Sequence, residues 1–258
     1  MELHLAGKRA VVTGASRGIG KAIARGLAAE GVQVAAGALR FDDAPNGAEV
    51  YEVAVDLSTP EGPASLVDEA VKKFGGLDIL VNNVGATRPR TGGFLSVTDA
   101  DWIATMTIDF LAAVRTTRAA LPHLVDHGGG TVVSVCSVNA VLPDPLVIDY
   151  SAAKAALLNF SKALSKEFGP RGVRVNTVSP GPVSTALWLG DQGVAETVGR
   201  ATGADPNAVA QQAAAQMVTG RFSRPEEVAD LVLLLASNRA GNVTGSDFVI
   251  DGGLITTV

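Results

Sequence analysis

The stretch RAVVTGASRGIGKAIARGLAAEG, residues 9–31, decides the fold. RAVVTG (9–14) is a short apolar run and predicts a buried strand. RGIGKAIARGLAAEG (17–31) predicts a helix: Ile19, Ile23 and Leu27 recur every four residues, and Gly31 stands past the end. Between them lies TGASRGIG (13–20), with Gly14, Gly18 and Gly20. Those glycines permit a tight turn, close approach of a pyrophosphate and close helix packing, while backbone N–H groups at the helix start attract phosphate. A glycine-rich turn without a ligand would have the same composition. The strand before it and the helix after it point to a dinucleotide site.

Outward from this unit, short apolar runs alternate with helical patterns. Strands are predicted at 33–38, 50–57, 77–83, 130–137, 173–180 and 246–253. Thr59-Pro60 reads as a helix N-cap followed by proline at the first helical position, opening a helix through Lys73. Further helices are expected at about 99–121, ending near Pro122, and at about 150–168. Strands that are almost wholly apolar are covered on both faces, so the sheet is parallel. With right-handed crossovers the expected fold is α/β, a doubly wound parallel sheet in a Rossmann-type three-layer sandwich, forming one domain over residues 1–258. Such sheets bind ligands at the carboxyl ends of their strands. There the chain places Thr13-Gly14, Asn82-Asn83, Ser137 and Pro180-Gly181.

Bulk composition narrows the function. The chain has 258 residues, 47% of them hydrophobic, and a formal net charge of −5. Lysines and arginines form no basic run, which argues against nucleic-acid binding. The longest apolar run, LVLLLA (231–236), is too short to span a bilayer, and the first residues do not read as a signal peptide. One cysteine, Cys136, rules out an intrachain disulfide and suits a reducing, cytoplasmic setting. His4, His123 and His127 lack metal-ligand spacing, so no metal is expected.

DYSAAKAALLNF (149–160) carries the chemistry. Tyr150 and Lys154 stand four apart and share a helix face. A free tyrosine, with a pKa of about 10, exchanges protons poorly near neutrality. An ammonium about 4 Å away, at an effective dielectric near 20, contributes roughly the 4 kcal/mol needed to lower it to about 7. Tyr-x-x-x-Lys alone is more often a ring packed on a methylene stem. Here four motifs occur in order: TGASRGIG, NNVG (82–85), Ser137 and Tyr150-x-x-x-Lys154, with PGPVST (180–185) behind them. Together they resemble the short-chain dehydrogenase/reductase family, 3-oxoacyl-[acyl-carrier-protein] reductase-like members included, from Leu5 to the end of the chain.

The resemblance implies hydride transfer between a nicotinamide and a carbonyl or secondary alcohol. By it Tyr150 is the general acid/base, Lys154 tunes the tyrosine and hydrogen-bonds the nicotinamide ribose, and Ser137 hydrogen-bonds the substrate oxygen. It assigns to the cofactor Gly14, Ser16, Arg17, Gly18, Ile19 and Gly20, then Asp56 and Leu57 beside the adenine, Asn83 and Gly85 along the floor, and Pro180, Gly181, Val183 and Thr185 near the carboxamide and phosphate. One position departs from the family pattern. Asp109 stands where the family has an asparagine thought to hold a proton-relay water. Either Asp109 keeps the relay and stabilises charged Lys154, or the relay is damaged; the first is favoured because the other three residues remain.

An NAD site usually has an acid at the end of the second strand. Here the end reads AAGALR: the expected position is Ala38 or Leu39, and Asp42 and Asp43 lie further on. Arg17 and Arg40 could pair with a 2′-phosphate, which favours NADP over NAD. Residues 186–224 match the family's substrate lid, with two short helices expected, the second around 206–217, and Trp188 and Leu189 as wall candidates. The resemblance also implies a homotetramer, with a small carbonyl or alcohol substrate as the other partner. Three readings stand: an NADP-dependent carbonyl reductase, an NAD-dependent alcohol dehydrogenase, and a non-catalytic cofactor-binding protein, the last prompted by Asp109 alone.

Overall fold

The computed structural model describes residues 2–41 and 50–257. Seven strands form one parallel sheet: β1 (Arg9–Thr13), β2 (Gln33–Ala38), β3 (Val50–Ala54), β4 (Ile79–Asn82), β5 (Gly130–Val135), β6 (Val173–Pro180) and β7 (Asp247–Ile250). Their spatial order is β3-β2-β1-β4-β5-β6-β7. The chain therefore works outward from β1 in one direction and then restarts beside it with β4. That restart is the topological switch point, where a crevice opens at the strands' carboxyl ends.

Helices cover both faces. On one, α1 (Gly18–Ala29) packs against α9 (Pro225–Ala236), burying Ile23, Leu27, Val232 and Leu235 over Val12, Val34 and Val133. On the other, α2 (Gly62–Phe74), α4 (Ala112–Asp126) and α5 (Ile148–Phe168) bury Leu66, Leu121, Leu124 and Leu164 over Val11, Leu80 and Val132. Consecutive strand residues enter opposite cores, Val11 one and Val12 the other, so the apolar runs are continuous rather than alternating.

Several boundaries differ from expectation. β3 ends at Ala54, and α2 starts at Gly62, with Pro63 rather than Pro60 in its first turn. Thr59 still caps from outside: its Oγ1 accepts the Gly62 N–H at 3.1 Å. Pro122 does not end its helix, which runs on to Asp126 because burial of Leu121 and Leu124 outweighs one lost backbone bond. That helix follows α3 (Asp99–Met106) through one π-helical turn, Thr107–Leu111, with Asp109 inside it. Three short helices, not two, fill 186–215: α6 (Ala186–Leu189), α7 (Val194–Thr202) and α8 (Pro206–Ala215). Asp42 and Asp43 lie outside the described residues. Among the described residues no helix is long and apolar enough to cross a membrane.

Candidate active site

At the switch point the turns after β1 and β4 are stitched together. Thr13 Oγ1 accepts the N–H groups of Asn83 (2.9 Å) and Val84 (3.0 Å). Asn83 Nδ2 donates back to the carbonyls of Thr13 (2.9 Å) and Gly14 (3.1 Å). Only glycine fits this turn. Gly14 has φ 67°, and a Cβ there would lie 2.7 Å from Val84 Cα; a Cβ on Gly20 would collide with the Gly14 carbonyl and Asn83. Arg17 precedes α1 in extended conformation without a side-chain cap, so the first N–H groups of the helix are free to meet an anion.

A cavity of about 590 Å³ runs from this turn across the carboxyl edge. Its wall includes Gly14, Ser16, Arg17, Gly18, Ile19, Gly20, Asp56, Leu57, Asn83, Gly85, Ser137, Tyr150, Lys154, Pro180, Gly181, Val183 and Thr185. Three expected residues are not on it: Arg40, Asp109 and Leu189. Leu39 lines that end of the cavity, and Arg40, next to it in the chain, is exposed. Asp109 lies just behind the wall, buried to 1% exposure. Of the two wall candidates in α6, Trp188 lines the cavity and stacks edge-on against Phe222 at 5.1 Å. Leu189 does not line it; Leu187 takes the place, because neighbouring helical residues face different ways. Asp56 also anchors its own turn, its Oδ1 accepting from Ser58 N (2.9 Å) and Ser58 Oγ (2.7 Å), which holds its pKa low.

The reacting end is compact. Ser137 follows β5 with an extended backbone, and its Oγ accepts the Asn139 N–H and donates to Asn139 Oδ1, both at 3.2 Å. Asn139 thereby sets the hydroxyl's resting direction. Asn139 was not singled out from the sequence; the signal was an amide two residues past a serine at a strand end. Lys154 is buried to 3% exposure and donates to the Val135 carbonyl at 3.2 Å. Its Nζ lies 5.5 Å from the Tyr150 ring centre and 3.9 Å from Asp109 Oδ1. Asp109 Oδ1 also accepts the Ala86 N–H at 3.1 Å, while Oδ2 is buried without a partner.

Burial governs the acidities. Desolvation lifts the Asp109 carboxyl to about 7 against the downward pull of Lys154. Burial would lower Lys154, but Tyr150, Asp109 and Cys136 outweigh it and its pKa is raised, so the ammonium stays charged. For Tyr150 the expected lowering is overturned. Desolvation raises its pKa more than Lys154, and a hydrogen bond from Ser137, lower it. Ligand-free, the phenol is protonated at neutral pH. Cys136 is buried, its Sγ donates to the Lys154 carbonyl at 3.2 Å, and burial pushes the thiol pKa up. A phenol, a buried ammonium, a serine hydroxyl and a glycine turn with uncapped helix N–H groups thus lie along one cleft.

A family model described as enoyl-(acyl carrier protein) reductase, of the short-chain alcohol dehydrogenase type, matches residues 14–255. The chain belongs to the short-chain dehydrogenase/reductase family. Members of this family are NAD(P)-dependent oxidoreductases acting on alcohols and carbonyls, and this chain is one of them. It is 32% identical to a 3-oxoacyl-[acyl-carrier-protein] reductase, FabG, of Thermotoga maritima, over 98% of this chain and all of the relative. It is 33% identical to D-threitol dehydrogenase of Mycolicibacterium smegmatis, over 98% of this chain and 94% of the relative. An L-sorbose reductase from Gluconobacter frateurii, solved with NADPH and L-sorbose, superposes with a TM-score of 0.91 at 35% identity, with full coverage of both chains.

Proposed function

We propose that this protein is an NADPH-dependent carbonyl reductase in which Tyr150 protonates the nascent alkoxide. What carries the reading is the meeting of Ser137, Tyr150 and Lys154 on the wall of one cavity that also holds the glycine turn. The free N–H groups of α1 and the side chain of Arg17 would hold phosphate, Asn83 and Gly85 the ribose floor, and Pro180, Gly181, Val183 and Thr185 the nicotinamide end. The nicotinamide would supply the hydride. Ser137 donates to the carbonyl oxygen and stabilises its developing charge. Tyr150, protonated at neutral pH, gives up its proton there, and the Lys154 ammonium stabilises the phenolate left behind. Asp109, 3.9 Å from Lys154 Nζ, faces the ammonium from the far side and adds its negative charge as it ionises at about pH 7. Residues 186–224 act as the lid over the substrate end.

Arg17 on the cavity wall, with no acid at the end of β2 among the described residues, supports NADPH over NADH. The substrate end mixes apolar Leu146, Val147, Leu187 and Trp188 with Thr87, whose Oγ1 is buried and unpartnered, and Asn139. That mixture suits a ketone carrying a hydroxyl or carbonyl one or two carbons from the reacting carbon, in line with relatives named for 3-oxoacyl thioesters and for L-sorbose. Exposed Phe94, Leu95 and Ile103 near α3 support self-association, and the reading includes a homotetramer. The test is oxidation of NADPH and of NADH against ketoses, simple ketones and 3-oxoacyl thioesters. Turnover with NADPH is expected; oxidation of NADH alone would replace the reading with an NAD-dependent dehydrogenase.

A further inference from the structure

The densest group of charges beside the site is one that sequence spacing does not reveal. Asp149 directly precedes Tyr150 in the first turn of α5, and its side chain is 2% exposed. Its carboxylate accepts from Arg90 Nε at 3.3 Å, from Arg90 Nη2, and from Thr105 Oγ1 at 2.7 Å. Arg90 Nη1 donates to Asp101 Oδ1 at 2.9 Å, and the Arg90 backbone N–H donates to the Leu146 carbonyl at 2.6 Å.

We propose that Arg90 is a positioning residue for catalysis: by gripping Asp149 it holds the first turn of α5, and Tyr150 with it, against the loop that follows β4. This rests on the reading of Tyr150 as the proton donor. Arg90 joins three pieces of the site. It lies on the loop that carries Asn83 and Gly85. Through Asp101 it reaches α3, whose Thr105 shares the Asp149 carboxylate and which leads into the π turn of Asp109. Through Leu146 and Asp149 it holds a cavity wall and the helix of Tyr150 and Lys154. The guanidinium is 13% exposed and engages Asp149 with two nitrogens, a planar grip that lysine cannot reproduce.

The grip also sets charge. Asp149 pushes the Asp109 pKa upward, and Arg90 offsets that field. Around Tyr150 the facing groups are Lys154 on its own helix, Asp109 from the π turn, and Ser137 and Cys136 from the end of β5. Around Asp149 they are Arg90 and Thr105, with Asp101 held through Arg90. Without Arg90, Asp149 is a buried carboxylate that has lost its guanidinium partner, in the first turn of the helix that carries Tyr150.

The chain has two tyrosines, so a Tyr51→Phe background leaves Tyr150 as the single phenol, and its ultraviolet tyrosinate titration needs neither substrate nor cofactor. In that background Arg90→Met, Arg90→Lys and Arg90→Met/Asp149→Asn are compared, with kcat and KM measured for NADPH-dependent reduction of the best carbonyl compound in the panel. Arg90→Met is expected to move the titration up by about half a pH unit or more, from the charge removed. It should lower kcat about ten- to a hundredfold with little change in KM, from misplacement of the donor. The double variant should restore the titration but not kcat. Arg90→Lys should keep the titration and lose kcat severalfold, which carries the test if Arg90→Met does not fold. Folded variants with wild-type titration and kcat, altered only in melting temperature, would overturn the proposal. If wild type reduces no carbonyl, the functional reading has failed, and the titration alone still decides the role of Arg90.

Discussion

Asp109→Asn should stabilise the protein progressively as pH rises from 4 to 7. The wild-type carboxyl is buried in the π turn with Oδ2 unpartnered, and its pKa stands at about 7. In the unfolded chain the same group titrates near 4. Between these values the folded state holds a proton that the unfolded state has released, so stability falls with rising pH by about 1.4 kcal/mol per unit. From pH 5.5 to 8 most of 1.5 units is traversed, which costs wild type about 2 kcal/mol that the asparagine variant does not lose. For a chain of this size that is about 4 °C in melting temperature. The assay is thermal or urea unfolding of both proteins at pH 5.5, 6.5, 7.5 and 8, read as the difference between them, so that every other titrating group cancels. The gap should widen with pH and level off above about 7.5. A constant gap would mean that Asp109 is ionised throughout, and that Lys154 at 3.9 Å, not desolvation, decides its charge.

Two further outcomes follow from the site. Arg17→Ala should weaken NADPH binding about ten- to a hundredfold while sparing NADH, the loss of one charged pair with a phosphate; cofactor titration by fluorescence measures both. Because burial raises the Tyr150 pKa, carbonyl reduction should hold its rate from neutral into alkaline pH, while alcohol oxidation, which needs the phenolate, should rise with pH over the same range; kcat profiles in the two directions check this.

How much of this was legible in the sequence depended on the distance over which each feature is determined. The glycine turn and its flanking strand and helix are local, and 9–31 showed all three. Ser137, Asn83 and Gly181 were legible as one site because a parallel sheet brings the carboxyl ends of its strands to one edge, whatever the details of packing. The π turn at Thr107–Leu111 was not, because one extra residue in a helix barely alters the apolar spacing on either side. Nor was the run beyond Pro122, where burial, not propensity, extends the helix. Arg90 and Asp149 are 59 residues apart, and each looks like a solitary surface charge until the fold removes both from water. The direction of the Tyr150 shift failed for the same reason. Spacing revealed the neighbouring ammonium but not the depth of burial.

The central claim is that Tyr150 is the proton donor of a carbonyl reductase, and Tyr150→Phe tests it most directly. The ring and its packing stay, and only the hydroxyl goes. NADPH affinity, measured by fluorescence, should remain within a few-fold of wild type, while kcat for carbonyl reduction falls by about a hundred- to ten-thousandfold. Wild-type turnover in a variant that still binds NADPH would contradict the account.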